Sequence, residues 1–219
     1  MRSGHIDHPG DTVADLVVLA PHMDDETLGC GGLIATAEDP LVVFGVTSRD
    51  EGIEVDEVAK ELGFRYKVLY GADYEARMLD IDRRELVGHI EEILGSERPR
   101  RVCIPSPSYH QDHAVMFESG LAATRPLSRK GYLAPMVSAY EYPGSAWGYD
   151  GREMELNHYV DITSVMDRKL QAVACYNGSQ RGRAVIDPDV VTGWARLRGA
   201  FVGVEFAEAF RLMRMVESA

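Results

Sequence analysis

Short apolar, β-branched runs alternate with stretches of helical periodicity, and this alternation limits what the chain can fold into more than any other feature. Residues Asp15 to Ala20 predict a first strand, followed by a helix from about Thr27 to Ala37. A second strand is expected over Leu41 to Thr47 and a second helix over Glu54 to Leu62, which Gly63 would end. Tyr66 to Tyr70 reads as a third strand. Asp82 to Leu94 carries Leu86, Ile90, Ile93 and Leu94 on one helical face. Arg101 to Ile104 reads as a fourth strand, stopped by Pro105 and Pro107, and Asp112 to Thr124 as a further helix. Such a β-α repeat predicts an α/β fold with a mostly parallel sheet covered on both faces.

The second half is less regular. Val137 to Tyr142 and Asn157 to Asp161 are expected strands. Asp167 to Tyr176 and Val190 to Val216 read largely as helical, with Gly193, Gly199 and Gly203 interrupting the latter. Gly144 to Gly151 and Asn177 to Pro188 read as surface loops. With no internal repeat, low-complexity tract or linker, 219 residues suit a single domain over 1–219, with 1–12 as an N-terminal tail.

Composition narrows the function classes. The net charge of −12 argues against nucleic acid and against an anionic membrane surface, since both require a basic footprint. It leaves a small neutral or cationic partner open. No apolar run approaches the ~20 residues that span a bilayer, so no integral membrane segment is expected. Nothing after Met1-Arg2-Ser3-Gly4 reads as a secretory signal. The three cysteines, Cys30, Cys103 and Cys175, form no CxxC spacing and suit reduced thiols in a cytoplasmic protein. A homo-oligomer is compatible with all of this.

Two loops concentrate chemistry. The first, Pro21-His22-Met23-Asp24-Asp25-Glu26, follows the first strand and so falls at the C-terminal edge of the parallel sheet, where open α/β folds bind ligands. One imidazole and three carboxylates packed together repel and resist desolvation, and a divalent cation relieves both. The same acids would also suit a solvated turn facing a helix dipole. The second loop, His110-Gln111-Asp112-His113, follows the fourth strand and falls on the same rim. Alone it equally suits a helix cap. Together the two loops hold three of the seven histidines; His5, His8, His89 and His158 lie elsewhere. They supply enough ligands for a catalytic zinc, which takes three protein donors and one water, with carboxylates left for acid–base work. Spacing alone does not say which of Asp24 and Asp25 binds metal.

At these residues the sequence resembles the LmbE/PIG-L family of zinc-dependent N-deacetylases. The motif of a strand followed by His-Pro-Asp-Asp-Glu and a glycine-rich helix start is matched from Ala20 to Gly32, and His-x-Asp-His is matched by His110 to His113. Asp161-Ile162-Thr163, Lys169, Ser179-Gln180 and Phe206 to Phe210 resemble further family segments, so the likeness extends over most of the chain. The resemblance implies a Rossmann-like three-layer sandwich and a zinc held by His22, Asp25 and His113. It implies Asp24 as general base. It gives His110 the role of stabilising an oxyanion or donating a proton, with Asp112 orienting its ring and favouring the imidazolium. Glu26 is left as support behind the metal ligands. The implied reaction removes the N-acetyl group from an N-acetylglucosamine-type glycoside or glycoconjugate, releasing acetate and an amine. A zinc amidase for a non-acetyl or non-sugar amide is the nearer rival, and a nucleotide-binding module built on Gly29-Cys30-Gly31-Gly32 the more remote one. The sequence departs from the family at Met23, where proline is usual, and at Thr47 to Gly52, which lacks the middle glycine of Thr-x-Gly-Glu-x-Gly.

Other residues have a functional and a plainer reading. Tyr142, Trp147 and Tyr149 could wall a sugar site or pack a loop. Glu141 could face the rim or be an ordinary surface carboxylate. Arg49 could contact substrate or be a solvated loop residue, and Ser179-Gln180-Arg181 could be a polar loop near the site or simply a turn. His158 reads as structural, and Cys30 as a small packing residue.

Overall fold

The structure, a computed structural model, describes residues 14–48, 55–126, 132–146, 155–179 and 187–217. Its elements in chain order are β1 (Leu16–Ala20), α1 (Asp25–Thr36), β2 (Pro40–Val46), α2 (Val55–Leu62), β3 (Arg65–Tyr70), α3 (Arg83–Glu97), β4 (Arg101–Pro105), α4 (Gln111–Ala123), β5 (Met136–Tyr140), β6 (His158–Asp161), α5 (Met166–Ser179), α6 (Pro188–Val202) and β7 (Ala207–Met215). The seven strands form one sheet in the order β3-β2-β1-β4-β5-β7-β6. The first five are mutually parallel, and β7 runs antiparallel to both β5 and β6. The expected α/β architecture with a mostly parallel, doubly covered sheet is therefore the observed one.

Alternation within the strands builds the two interior layers. Leu16, Val18 and Ala20 of β1 point to one face, where they meet Ile34, Val58 and Tyr176 in one cluster. Val17 and Leu19 point to the other, with Leu86, Ile90 and Met116. All five β1 residues are buried, as a central parallel strand requires. From β1 the chain winds outward through β2 and β3, then returns to place β4 on the other side of β1. The winding thus reverses between β1 and β4, and the crevice beyond their C-terminal ends is the ligand position of a doubly wound sheet. The loops carrying His22 and His110 leave the sheet at those two ends.

One sequence expectation is overturned. Val190 to Val216 is not largely helical: α6 ends at Val202 and the chain returns as β7. Gly203 adopts φ 78° and closes the helix, with the Val204 N–H bonded to the Gly199 carbonyl. The alanine, glutamate, leucine and methionine residues of β7 favour helix by propensity. Position overrides that preference, because β7 fills the gap between β5 and β6 and buries Ala207 to Phe210. Smaller differences lie at element ends: α1 begins at Asp25, two residues early, and Pro105 is the last residue of β4.

Candidate metal centre

Between β1 and α1 the chain turns sharply through Pro21 to Asp24, so that Asp25 and Glu26 form the first turn of α1. That helix does begin with acidic residues, but it is not a solvated cap, because Asp25 is 3% and Glu26 0% exposed. Burying two carboxylates side by side is costly unless each is paired. Asp25 Oδ2 accepts from the His22 backbone N–H at 3.1 Å and lies 3.2 Å from His22 Nδ1. Its Oδ1 lies 3.3 Å from His113 Nε2. Burial would raise the Asp25 pKa, but the charges and hydrogen bonds of His113 and His22 override it and hold the group well below the usual carboxylate range.

His22 is fixed from its other side. Its Nε2 donates to Asp112 Oδ2 at 2.9 Å. Burial alone would lower the His22 pKa, yet Asp112 and Asp25 together push it up to about 10. Asp112 is fully buried at the start of α4 and is itself anchored by backbone. The Ala76 N–H reaches its Oδ2 at 2.8 Å and the Met78 N–H its Oδ1 at 3.0 Å. Gln111 adds a bond from its amide to the Ala76 carbonyl. Sequence reasoning missed this support from the segment after β3, because it comes from backbone N–H groups, which every residue but proline carries.

The expected contact between the Asp112 carboxylate and the His110 ring is not what the structure shows. The carboxylate is committed to His22, and it is the Asp112 backbone N–H that meets His110, donating to Nδ1 at 3.3 Å. Nδ1 is then the acceptor, which puts the proton of the neutral ring on Nε2. The His110 pKa is lowered, by burial first and by charge on His22 next; Asp112 pulls it upward, as expected, but is outweighed, so the neutral ring is favoured in place of the expected imidazolium.

The three imidazoles converge. Donor atoms of His22, His110 and His113 all lie within 4.8 Å of one another. His113 is buried, and its Nδ1 has no hydrogen-bond partner among the described residues. The Tyr142 ring stands 4.8 Å from the His113 ring, and its hydroxyl donates to Ser108 Oγ. This set fits a divalent cation. Asp25 meets His22 Nδ1 through one oxygen and His113 Nε2 through the other, Asp112 holds the remaining His22 nitrogen in the manner of a carboxylate–histidine–metal relay, and without a cation imidazole protons must balance Asp25. Of the histidines outside the two loops, His89 contacts Tyr70 and His158 contacts Arg101, away from this cluster.

The C-terminal half holds α1 in place. Lys169 Nζ donates to the Leu28 carbonyl at 2.9 Å and to Glu208 Oε1 at 2.7 Å. Glu208 in turn accepts from the Gly32 and Leu33 N–H groups at 2.7 and 2.9 Å. Leu28 and Gly32 are the i and i+4 partners of a regular helix, so a buried ion pair bonds both sides of one rung. The glycines nearby are packing positions. A Cβ on Gly29 would come 2.1 Å from Tyr140 Cδ2, and one on Gly32 2.3 Å from Ile162 Cγ2. They lie within α1 against side chains and make no phosphate cradle, which removes the ground for a nucleotide-binding module. Cys30 sits fully buried among them, as a packing residue would. Glu141 is not an open rim carboxylate: Arg198 binds both its oxygens, at 2.5 and 2.8 Å. Arg49, Trp147, Tyr149, Gln180 and Arg181 lie outside the described residues.

Solved structures share this fold. A conserved protein of Thermus thermophilus superposes with a TM-score of 0.73 at 23% identity, over 94% of this chain and 97% of its own. The 4-carboxy-2-hydroxymuconate hydratase of Pseudomonas putida gives 0.70 at 20%, over 93% and 98%. The N,N'-diacetylchitobiose deacetylase of Pyrococcus horikoshii, solved with an inhibitor, gives 0.67 at 23%, over 91% and 84%. At such identities these show the fold alone, and the hydratase among them shows that the fold does not fix the reaction. No curated protein matches by sequence. The family model described as PIG-L, GlcNAc-PI de-N-acetylase, matches residues 17–124, the stretch that carries both loops of the site, and the chain thus carries a PIG-L (LmbE-like) family domain.

Proposed function

We propose that the chain is a zinc-dependent N-deacetylase that removes the acetyl group from an N-acetylglucosamine-type sugar or glycoconjugate, releasing acetate and a free amine. The observation that carries this reading is Asp25, buried between His22 and His113 with a second carboxylate, Asp24, next to it in the chain. The family match and the deacetylase among the structural relatives support it.

His22 Nδ1, Asp25 and His113 Nε2 would hold the metal. When bound there, zinc supplies Lewis acidity toward an amide carbonyl and lowers the pKa of water to about 7. The protein's own groups do the rest. Asp112 retains the proton on His22 Nε2, leaving Nδ1 as the donor atom. Asp24 accepts a proton from the attacking water and passes it to the leaving amine. His110, with its neutral-ring proton on Nε2, donates a hydrogen bond to the developing oxyanion. Tyr109, exposed beside His110, and Tyr142 offer aromatic faces to a sugar ring.

An acetate-release screen over N-acetylated sugars, run on protein of measured metal content, tests the proposal. Equimolar acetate and amine, lost on chelation and restored by zinc, is the expected result. Amine release only from longer acyl or non-sugar amides would replace it with the amidase reading.

A further inference from the structure

Asp24 stands in an unusual backbone conformation, with φ 147° and ψ −29°. Residues with a Cβ rarely adopt it, and such a state persists only where the surroundings over-determine it. The side chain of Asp24 makes no cap to α1, and on the helix side its backbone carbonyl accepts from the Leu28 N–H at 2.9 Å. Its backbone N–H instead donates to Glu26 Oε2 at 3.1 Å. Glu26 is fully buried, and its other oxygen is occupied. Thr27 Oγ1 donates to Oε1 at 2.6 Å, and the Tyr176 hydroxyl donates to the same atom at 2.7 Å. Tyr176 belongs to α5, is fully buried, and is 150 residues from Glu26 in the chain. The phenol is thus the one long-range anchor among these contacts of the Glu26 side chain, and Glu26 is what reaches the Asp24 amide.

We propose that Tyr176 is a positioning residue for Asp24. Its hydroxyl fixes Glu26, and Glu26 holds the Asp24 backbone in the conformation from which the carboxylate serves the reaction. The proposal rests on the reading of Asp24 as the proton acceptor. Removing the hydroxyl leaves Glu26 held only by its near neighbours Thr27 and Asp24, which loosens the grip on the Asp24 amide and lets the backbone relax. The metal ligands do not depend on this bond: Asp25 keeps its contacts with His22 and His113, and His22 its contact with Asp112.

The test is Tyr176→Phe in the full chain, with three readouts. Amide hydrogen exchange at Asp24 should accelerate about 10-fold or more while exchange at Val18 in β1 stays unchanged, which separates local release from global loss of stability. Zinc stoichiometry and affinity should match wild type. On an N-acetylated sugar that wild type hydrolyses, kcat should fall about 10-fold or more with KM unchanged. If the phenylalanine variant does not fold, Glu26→Gln serves in its place, since it keeps the side chain's size and removes one acceptor oxygen. Unchanged exchange at Asp24 would overturn the clamp. Faster exchange with undiminished kcat would overturn the positioning role. Wild-type protein inactive on every amide contradicts the deacetylase reading and is seen without any variant, so the two failures are distinct.

Discussion

His22 Nε2 lies 2.9 Å from Asp112 Oδ2, and this contact joins the two loops of the site across the crevice between β1 and β4. It commits one nitrogen of His22 to a carboxylate and turns the other toward Asp25. Asp112→Asn weakens that grip, because an amide cannot accept at both oxygens as Asp112 does from His22, Ala76 and Met78. Zinc affinity measured calorimetrically should fall about 10- to 100-fold. Undiminished affinity would show that the contact does not orient a ligand.

Proton linkage follows from the same pair. In metal-free protein Asp112 and Asp25 raise the His22 pKa from its ordinary 6.5 to about 10. The folded-state value lies above the unfolded one, so this stabilisation is fully present below pH 6.5 and is lost as pH rises through about 10. A cation at Nδ1 competes with that proton. Metal binding at about pH 7.5 should therefore release protons, seen as a buffer-dependent enthalpy, and affinity should weaken as pH falls. A buffer-independent enthalpy would contradict the linkage.

The Lys169–Glu208 pair is buried and ties down backbone groups of α1, so removing one member strands the other. Lys169→Met should lower stability by about 3–5 kcal/mol in urea unfolding. The double change Lys169→Met with Glu208→Leu should cost less than the sum of the single changes, because neither charge is then left alone. Additive losses would mean the two residues act independently.

Gly29 and Gly32 have no room for a side chain against Tyr140 and Ile162. Gly32→Ala should destabilise the protein by about 1–3 kcal/mol despite the better helix propensity of alanine. Thermal unfolding of the variant reads this directly, and a gain in stability would contradict the packing described.

How much of this was legible in sequence depended on how local each signal was. The strands β1 to β4 could be read from short apolar runs and their Gly and Pro boundaries, and their order alone placed His22 and His110 on one rim. The strand β7 could not, because Ala207 to Met215 is built of helix-favouring residues and takes its conformation from β5 and β6 on either side. The side-chain direction of Asp112 was equally hidden: proximity in sequence pointed to His110, whereas the β1–β4 pairing delivered His22. Lys169 and Glu208 stood out by resemblance, but only three-dimensional packing shows them meeting at α1. Ala76 and Met78 act through backbone N–H groups and left no sequence signal at all.

In the proposed function one divalent cation is held by His22, Asp25 and His113, with Asp24 beside it as the proton acceptor. Metal content and turnover of Asp24→Ala, measured on the same preparation as wild type, test it most directly. One zinc per chain is expected in both proteins, with a loss of about 10²- to 10⁴-fold in kcat in the variant. Wild type that binds no metal, or a variant that keeps near-normal turnover, would contradict it.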